Sequence, residues 1–236
     1  MSAVISLKNT AAEMHLAIGG MQPFTSIDFP GKLAAVVFCR GCHWRCGYCH
    51  NRHLQPAAAS DDWDELATFL RHRRGLLDAI VFSGGEPLLQ SGLGAALIRC
   101  REMGFATGLH TAGSSPQRFS RLLPQLDWVG FDVKASFENY VNITGIPGSG
   151  DKARASLLHL LDSGVAYEVR TTVDPQWLDQ DQLRTLAQEL NTLGVSRFVL
   201  QRCRSEEPTT KPDPLMDKKW LAEISTLFEN FELRLN

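Results

Sequence analysis

Long apolar runs are missing from this 236-residue sequence: no stretch approaches the roughly 18 residues that a membrane-spanning helix needs. The first residues, Met1 to Glu13, lack the basic start and apolar run of a secretory signal. Neither charge dominates. A net charge of −2 gives no general attraction to nucleic acid or to an anionic membrane. No proline-rich linker or shift in composition divides the chain, so it reads as a single domain from residue 16 to 236 behind a patternless extension, residues 1–15. Cysteine is scarce everywhere but one place. Four of the six lie between Cys39 and Asn51. Clustered cysteines without an export signal favour a metal or redox site over a disulfide framework, and a reducing cytoplasm as the compartment.

What is present is a regular alternation. Leu16–Gly31 mixes short apolar pieces with turn residues and suits a strand or hairpin. Leu33–Phe38 is a short apolar run, as expected of a strand buried on both faces. Ser60 is a candidate N-cap, followed by Asp61 and Asp62 at the positive end of a helix dipole. Trp63, Leu66, Ala67 and Leu70 then repeat on one helical face, and the basic run Arg71–Arg74 suits the negative end. Further strands are expected at 79–82, 105–109, 128–131, 167–173 and 197–200, with a short one possible at 231–235. Helices between them carry Leu93, Ala96, Leu97 and Cys100; residues 117–123; Leu157, Leu160 and Leu161 after an Asp151 cap; Leu183, Leu186, Ala187 and Leu190; and residues 217–228. The stretch Asn139–Gly150 reads as a polar, glycine-containing loop. Six strand–helix units in a row imply a parallel sheet with right-handed crossovers. A full eight-unit barrel needs about 250 residues, so the expected fold is α/β, an incomplete (β/α)6 barrel with an open side.

The unusual residues each follow the end of a strand: the cysteine loop, Gly84-Gly85-Glu86-Pro87, His110-Thr111-Ala112-Gly113, Asp132-Val133-Lys134, Val173-Asp174-Pro175 and Gln201-Arg202. In parallel α/β folds those ends share one face, which holds the active site. Cys42, Cys46 and Cys49 have the spacing C-x3-C-x2-C, with Cys39 three residues ahead. Thiolates this close can face one soft metal centre, and three of them on a [4Fe–4S] cube leave one iron open. A structural zinc site would close its shell with four thiolates, but the two C-x2-C knuckles are tight together for one tetrahedral ion. A two-cluster ferredoxin would need cysteines that are missing.

The three-cysteine motif after the first strand of that series, Tyr48 just before its last cysteine, and Gly-Gly-Glu-Pro after the next strand resemble the radical S-adenosylmethionine superfamily. The resemblance runs from about residue 16 to residue 203. Thr-Ser-Ile-Asp-Phe-Pro-Gly-Lys at 25–32 and Cys49-His50-Asn51 are similar to the glycyl-radical-enzyme activating proteins, above all those serving anaerobic ribonucleoside-triphosphate reductase. The resemblance implies that Cys42, Cys46 and Cys49 hold a [4Fe–4S] cluster whose open iron binds the amino and carboxylate groups of S-adenosylmethionine. It implies Tyr48 near the adenine, and Gly84, Gly85 and Glu86 at the methionine amino group. Asp132 and Lys134 are expected to contact the cofactor, Lys134 or Arg170 to pair with its carboxylate, and Thr111 and Thr172 to meet the ribose and adenine. One electron from a reduced flavodoxin or ferredoxin-type donor then cleaves the sulfonium to methionine and a 5′-deoxyadenosyl radical. That radical takes hydrogen from a glycine of a partner glycyl radical enzyme.

Other residues have plainer readings. Cys39 is expected to pack at a strand end, Cys100 in the core and Cys203 near the active face. His43, Trp44 and Arg45 shape the loop, and His72 and His159 lie on helix surfaces. His110 stands where related activating enzymes commonly have aspartate, so a monovalent cation there is in doubt. His110 either supplies positive charge or packs. Two other readings stay open: a superfamily member acting on a small molecule, such as a 7-carboxy-7-deazaguanine synthase, and a non-catalytic zinc or redox module.

Overall fold

A computed structural model describes residues 15–57, 63–204 and 209–235. The candidate cap Ser60, with Asp61 and Asp62, lies outside those residues, as does the extension up to residue 14.

Eight strands form one sheet in sequence order: β1 (Ile18–Thr25), β2 (Ala34–Cys39), β3 (Ala79–Gly84), β4 (Ala106–Thr111), β5 (Trp128–Asp132), β6 (Ala166–Val173), β7 (Arg197–Arg202) and β8 (Asn230–Arg234). β1 runs antiparallel to β2, and every later pair is parallel. The crossovers carry α1 (Trp63–Arg73), α2 (Leu93–Glu102), α3 (Pro116–Leu122), α4 (Tyr140–Thr144) with α5 (Ser149–Ser163), α6 (Gln180–Thr192) and α7 (Lys218–Ser225). β1 and β8 stand at opposite edges of the sheet, so the barrel is incomplete. The six expected units are there, and β8 adds one more parallel strand.

The apolar helix faces are those the periodicity marks: Trp63, Leu66, Ala67 and Leu70 on α1, and Leu183, Leu186, Ala187 and Leu190 on α6. They cover strand residues that alternate outward, such as Val37, Ile80, Phe82, Leu109 and Phe131, in one continuous core. Each fully buried side chain of this size stabilises the fold by about 1.5–3 kcal/mol. The opposite, concave face changes character along the sheet. Under β2–β5 it is an apolar plug of Phe29, Ala34, Val36, Ala79, Val81 and Trp128. From β5 to β8 it carries Asp132, Glu168, Arg170, Gln201 and Arg234. Glu168 is buried, and Arg234 holds both its oxygens, at 2.8 and 3.0 Å.

The stretch 139–150 departs from expectation. It is not a loop: Tyr140 and Ile143 are buried and α4 forms around them. α5 starts at Ser149, so Asp151 sits inside its first turn instead of capping it. Gly145 and Gly148, both in the left-handed region, make the break between the two helices.

Candidate functional site

The cysteine loop leaves β2 and is held from three directions. Gly41 donates to the Leu54 carbonyl at 2.7 Å and Cys42 to that of Gln55 at 3.0 Å, closing the loop on itself. Arg45 and Gly47 donate to the last carbonyls of α4, Thr144 at 2.8 Å and Ile143 at 3.2 Å. The third hold is the turn after β3. Gly85 donates to the Cys39 carbonyl and Glu86 to that of Gly41, at 2.9 and 2.8 Å. Side chains are impossible at that turn. A Cβ on Gly84 would lie 2.5 Å from Cys39 backbone atoms, and one on Gly85 2.4 Å from the Gly41 oxygen. The glycines are thus required for close packing of turn against loop, not only for backbone approach to a ligand as the motif suggested.

Above the strand ends lies a cavity of about 320 Å³. Cys42, Cys46, Cys49, Tyr48, Gly84, Gly85, Glu86, Thr111, Asp132, Lys134, Arg170 and Thr172 all line it, so every residue named from the sequence as ligand or cofactor contact comes to one place. Asp28, Trp44, His50, Asn51, Ser83, His110, Ala112 and Gln201 complete the wall. Cys39 and Cys100 are fully buried in the core, away from it.

The charged wall follows from register. Asp132 on β5 stands opposite Arg170 on β6, and Lys134 is two residues beyond Asp132 on the same side. Arg170 Nε donates to Asp132 Oδ1 at 3.0 Å, and Lys134 Nζ lies 3.5 Å from Oδ2. Burial pushes the Asp132 carboxyl up, but Arg170 and then Lys134 outweigh it and hold it down at about 2. Burial acts against the Lys134 ammonium too, and Asp132 overcomes it, keeping the lysine charged well above its ordinary range. Arg170 is further committed to the Gly130 carbonyl, at 3.4 Å.

Glu86 is buried at the other wall, and burial raises its pKa. It is satisfied nonetheless: Thr111 Oγ1 donates at 2.6 Å, Leu88 N–H at 3.1 Å and Ala112 N–H at 3.1 Å. Thr111 lines the cavity, and its hydroxyl also serves the protein. Its hydroxyl is spent on Glu86 and on the Gly113 N–H. Thr172 Oγ1 accepts from Gln201 and keeps its own proton for a ligand. His110 packs instead of supplying charge. Burial, then Arg170, lowers its pKa to about 3, its Nε2–H donates to the Asp28 carbonyl at 3.0 Å, and its ring meets Trp128 edge-on.

Some contributors were invisible in the sequence. Tyr140 of α4 accepts from the Lys134 N–H at 3.0 Å and so fixes the end of β5. Gln90 bridges the Ala17 N–H and the Arg40 carbonyl, at 2.8 and 2.5 Å. His50 Nε2 accepts from the Arg204 N–H and lies 3.3 Å from Cys203 Sγ, tying the loop's exit to the end of β7. Only the strand-end position of Cys203 hinted at that last contact.

The family model of the radical SAM superfamily matches residues 36–188. The chain belongs to that superfamily, whose members use a [4Fe–4S] cluster and S-adenosylmethionine. More particularly, it is similar over most of its length to activating enzymes. The pyruvate formate-lyase-activating enzyme of Clostridium pasteurianum is 30% identical over 73% of this chain and 81% of its own. MJ1227 of Methanocaldococcus jannaschii, whose name proposes a glycyl-radical enzyme activating enzyme, is 28% identical over 85% and 88%. Among solved structures, QueE from Escherichia coli shares the fold at TM-score 0.57 and 16% identity, covering 94% of this chain and 95% of that one. Streptococcus suis SuiB bound to the precursor peptide SuiA reaches TM-score 0.65 at 15% identity, over 83% of this chain and 47% of that one.

The residues present fit those groups. Cys42, Cys46 and Cys49 are half-buried at the cavity wall, and none is in a disulfide. Burial, then the nearby Glu86, pushes the Cys42 thiol up to about 11, and burial also raises that of Cys46. Both wait on a cation to become thiolates. Among the described residues no three donors gather closely enough for a single ion. A cluster does not ask for that, because its thiolates bind separate irons. Tyr48 Oη is buried in the same wall without a hydrogen-bond partner, a polar atom with a place for a ligand.

Proposed function

We propose that this chain activates a glycyl radical enzyme, and that its partner is an anaerobic ribonucleoside-triphosphate reductase. The observation that carries the reading is the convergence of three half-buried thiols, an unpartnered tyrosine hydroxyl and a cation–carboxylate pair on one cavity, in a chain similar to activating enzymes over most of its length. Cys42, Cys46 and Cys49 hold the cluster. Together the cluster and S-adenosylmethionine supply reductive cleavage of the sulfonium. The chain's own residues bind and orient. Lys134 pairs with the methionine carboxylate, since Arg170 is already occupied by Asp132 and Gly130. Glu86, with Gly84 and Gly85, receives the amino group. Asp132 stays ionised to accept from the cofactor, Thr172 donates from the opposite strand, and Tyr48 lies against the adenine. The apolar plug beneath and the helices outside exclude water and stray hydrogen donors. A partner's glycine loop enters at the open side of the barrel. No helix among the described residues is long and apolar enough to cross a membrane, and the free thiols suit a reducing cytoplasm.

The test is electron paramagnetic resonance on the reduced protein mixed with S-adenosylmethionine and an anaerobic ribonucleotide reductase. A glycyl doublet is expected. Cofactor cleavage without the doublet removes the partner assignment. Stoichiometric zinc in place of iron in anaerobically prepared protein removes the enzyme reading altogether.

A further inference from the structure

The thiols and the charged strand end come from segments far apart in the chain. Cys42, Cys46 and Cys49 follow β2, whereas Asp132 and Lys134 stand at the end of β5. Register holds Asp132 against Arg170 on β6. It does not set the distance from the cysteine loop to Lys134, because β3 and β4 stand between β2 and β5. Among the described residues one short element bonds to both, and that element is α4.

At the C-terminal end of α4 the Thr144 and Ile143 carbonyls accept from Arg45 and Gly47, at 2.8 and 3.2 Å. Those two residues flank Cys46. At its N-terminal end Tyr140 turns its hydroxyl to the end of β5. The Val133 N–H goes to the Arg170 carbonyl on β6, at 2.9 Å. The next amide, that of Lys134, lies beyond the strand pairing and donates to Tyr140 Oη at 3.0 Å, and Oη lies 3.4 Å from the Asp132 carbonyl. The ring cannot drift. Tyr140 is fully buried, Trp44 of the cysteine loop meets it edge-on at 5.7 Å between centroids, and Phe137 stacks on it at 6.1 Å. The helix is pinned as well: the Thr144 hydroxyl donates to the Tyr140 carbonyl at 3.0 Å and lies 2.7 Å from Ser149 Oγ on α5.

We propose that Tyr140 is a positioning residue for S-adenosylmethionine, the contact through which α4 sets Lys134 at its distance from the cysteine loop. The inference rests on the proposed function, in which the cysteines hold the cluster and Lys134 meets the methionine carboxylate. Tyr140 does not line the cavity. It acts through the Lys134 backbone, and its ring braces that backbone against Trp44 of the cysteine loop. A cofactor gripped from two segments tolerates little error between them, since a shift of about 1 Å in positioning groups can cost about a hundredfold. Without the hydroxyl, the Lys134 N–H loses its acceptor and the strand end loses its tie to α4.

The experiment uses the iron-loaded protein and Tyr140→Phe, which keeps the ring and removes Oη. The Kd of S-adenosylmethionine, measured by equilibrium dialysis, is expected to rise at least about threefold. The KM for reductive cleavage should rise with it and kcat should change less, because Lys134 holds the cofactor before and during cleavage alike. In a double-mutant cycle Tyr140→Phe should add little to the loss from Lys134→Met. An unchanged Kd in Tyr140→Phe overturns the inference, even where the urea midpoint falls, because the hydroxyl then serves stability alone. Additive losses in the cycle overturn it too. Should Tyr140→Phe lose iron, amide exchange of the iron-free chain decides. Faster exchange at Lys134, Arg45 and Gly47 is expected, and protection at Lys134 equal to the parent's overturns the brace. Failure of the parent protein to bind S-adenosylmethionine, or parent-like binding in Lys134→Met, is a different result and strikes the proposed function.

Discussion

The inner wall of the cavity and the outer face of the cysteine loop both carry cations, around the same three thiols, and they are built on opposite rules. Inside, each charge is fixed: Asp132 is bonded to Arg170 at 3.0 Å and stands 3.5 Å from Lys134, at the end of a strand. Outside, among the described residues, Arg45 and Arg52 reach only backbone carbonyls. A paired, half-buried charge costs desolvation and yields geometry. An unpaired exposed one yields little stability but projects a field into solvent. In the proposed function the inner charges orient a bound cofactor, whereas the outer ones remain turned to solvent.

That contrast can be broken in stages. The largest effect is expected at the thiols that both faces serve. Cys42→Ala, Cys46→Ala or Cys49→Ala should abolish cluster assembly, measured as iron and sulfide per chain, while Cys39→Ala should keep full iron with lowered stability. Loss of iron in Cys39→Ala would overturn the three-ligand assignment.

Next is the inner pair. Asp132→Asn leaves Lys134 without its counter-charge and Arg170 with only the more distant Glu168, at 4.0 Å, and should cost about 2–3 kcal/mol in urea unfolding of the iron-free chain. The pH dependence has a definite sign. The Asp132 carboxyl is held at about 2 in the fold, against about 3.9 in an unfolded chain. Its contribution is therefore complete above the unfolded value and lost as pH falls from about 4 toward about 2. In Asp132→Asn that part of the acid limb should flatten. An unchanged acid limb would mean that the pair does not hold in solution.

A smaller effect is expected at the junction of the faces. Gly47→Ala drives a methyl into the Trp177 ring and should cost about 1–3 kcal/mol. Trp177→Ala in the same chain should recover most of it, and a double-mutant cycle measures the coupling. Additive losses would show that the loop and the tryptophan do not touch. The smallest effect belongs outside. Arg52→Gln should shift stability by no more than about 0.5 kcal/mol, as exposed substitutions do. A loss comparable to that of Asp132→Asn would erase the distinction between the faces.

Much of the site was legible because its signals are local. The cysteine spacing, Gly84-Gly85-Glu86 and Asp132-Val133-Lys134 each follow an apolar strand, and parallel strands bring their ends to one rim. What stayed hidden needed contacts between distant segments. Residues 139–150 look like a loop by their glycines, yet Tyr140 and Ile143 find a buried place and α4 forms to clamp the cysteines. Nothing in the chain's order shows that Glu86 lies only 2.6 Å from the Thr111 hydroxyl.

By itself, then, the sequence determined the order of strands and helices, the face each buries, and the three thiols on one loop, since side-chain period and spacing are properties of neighbours along the chain. Only the tertiary structure decided which charges are paired. Asp132 meets Arg170 through strand register across 38 residues of chain, and exposed Arg45 meets no acid among the described residues. Charges on a line are all alike until folding sets the distances between them, and distance decides whether a cation is held by a carboxylate or left to solvent.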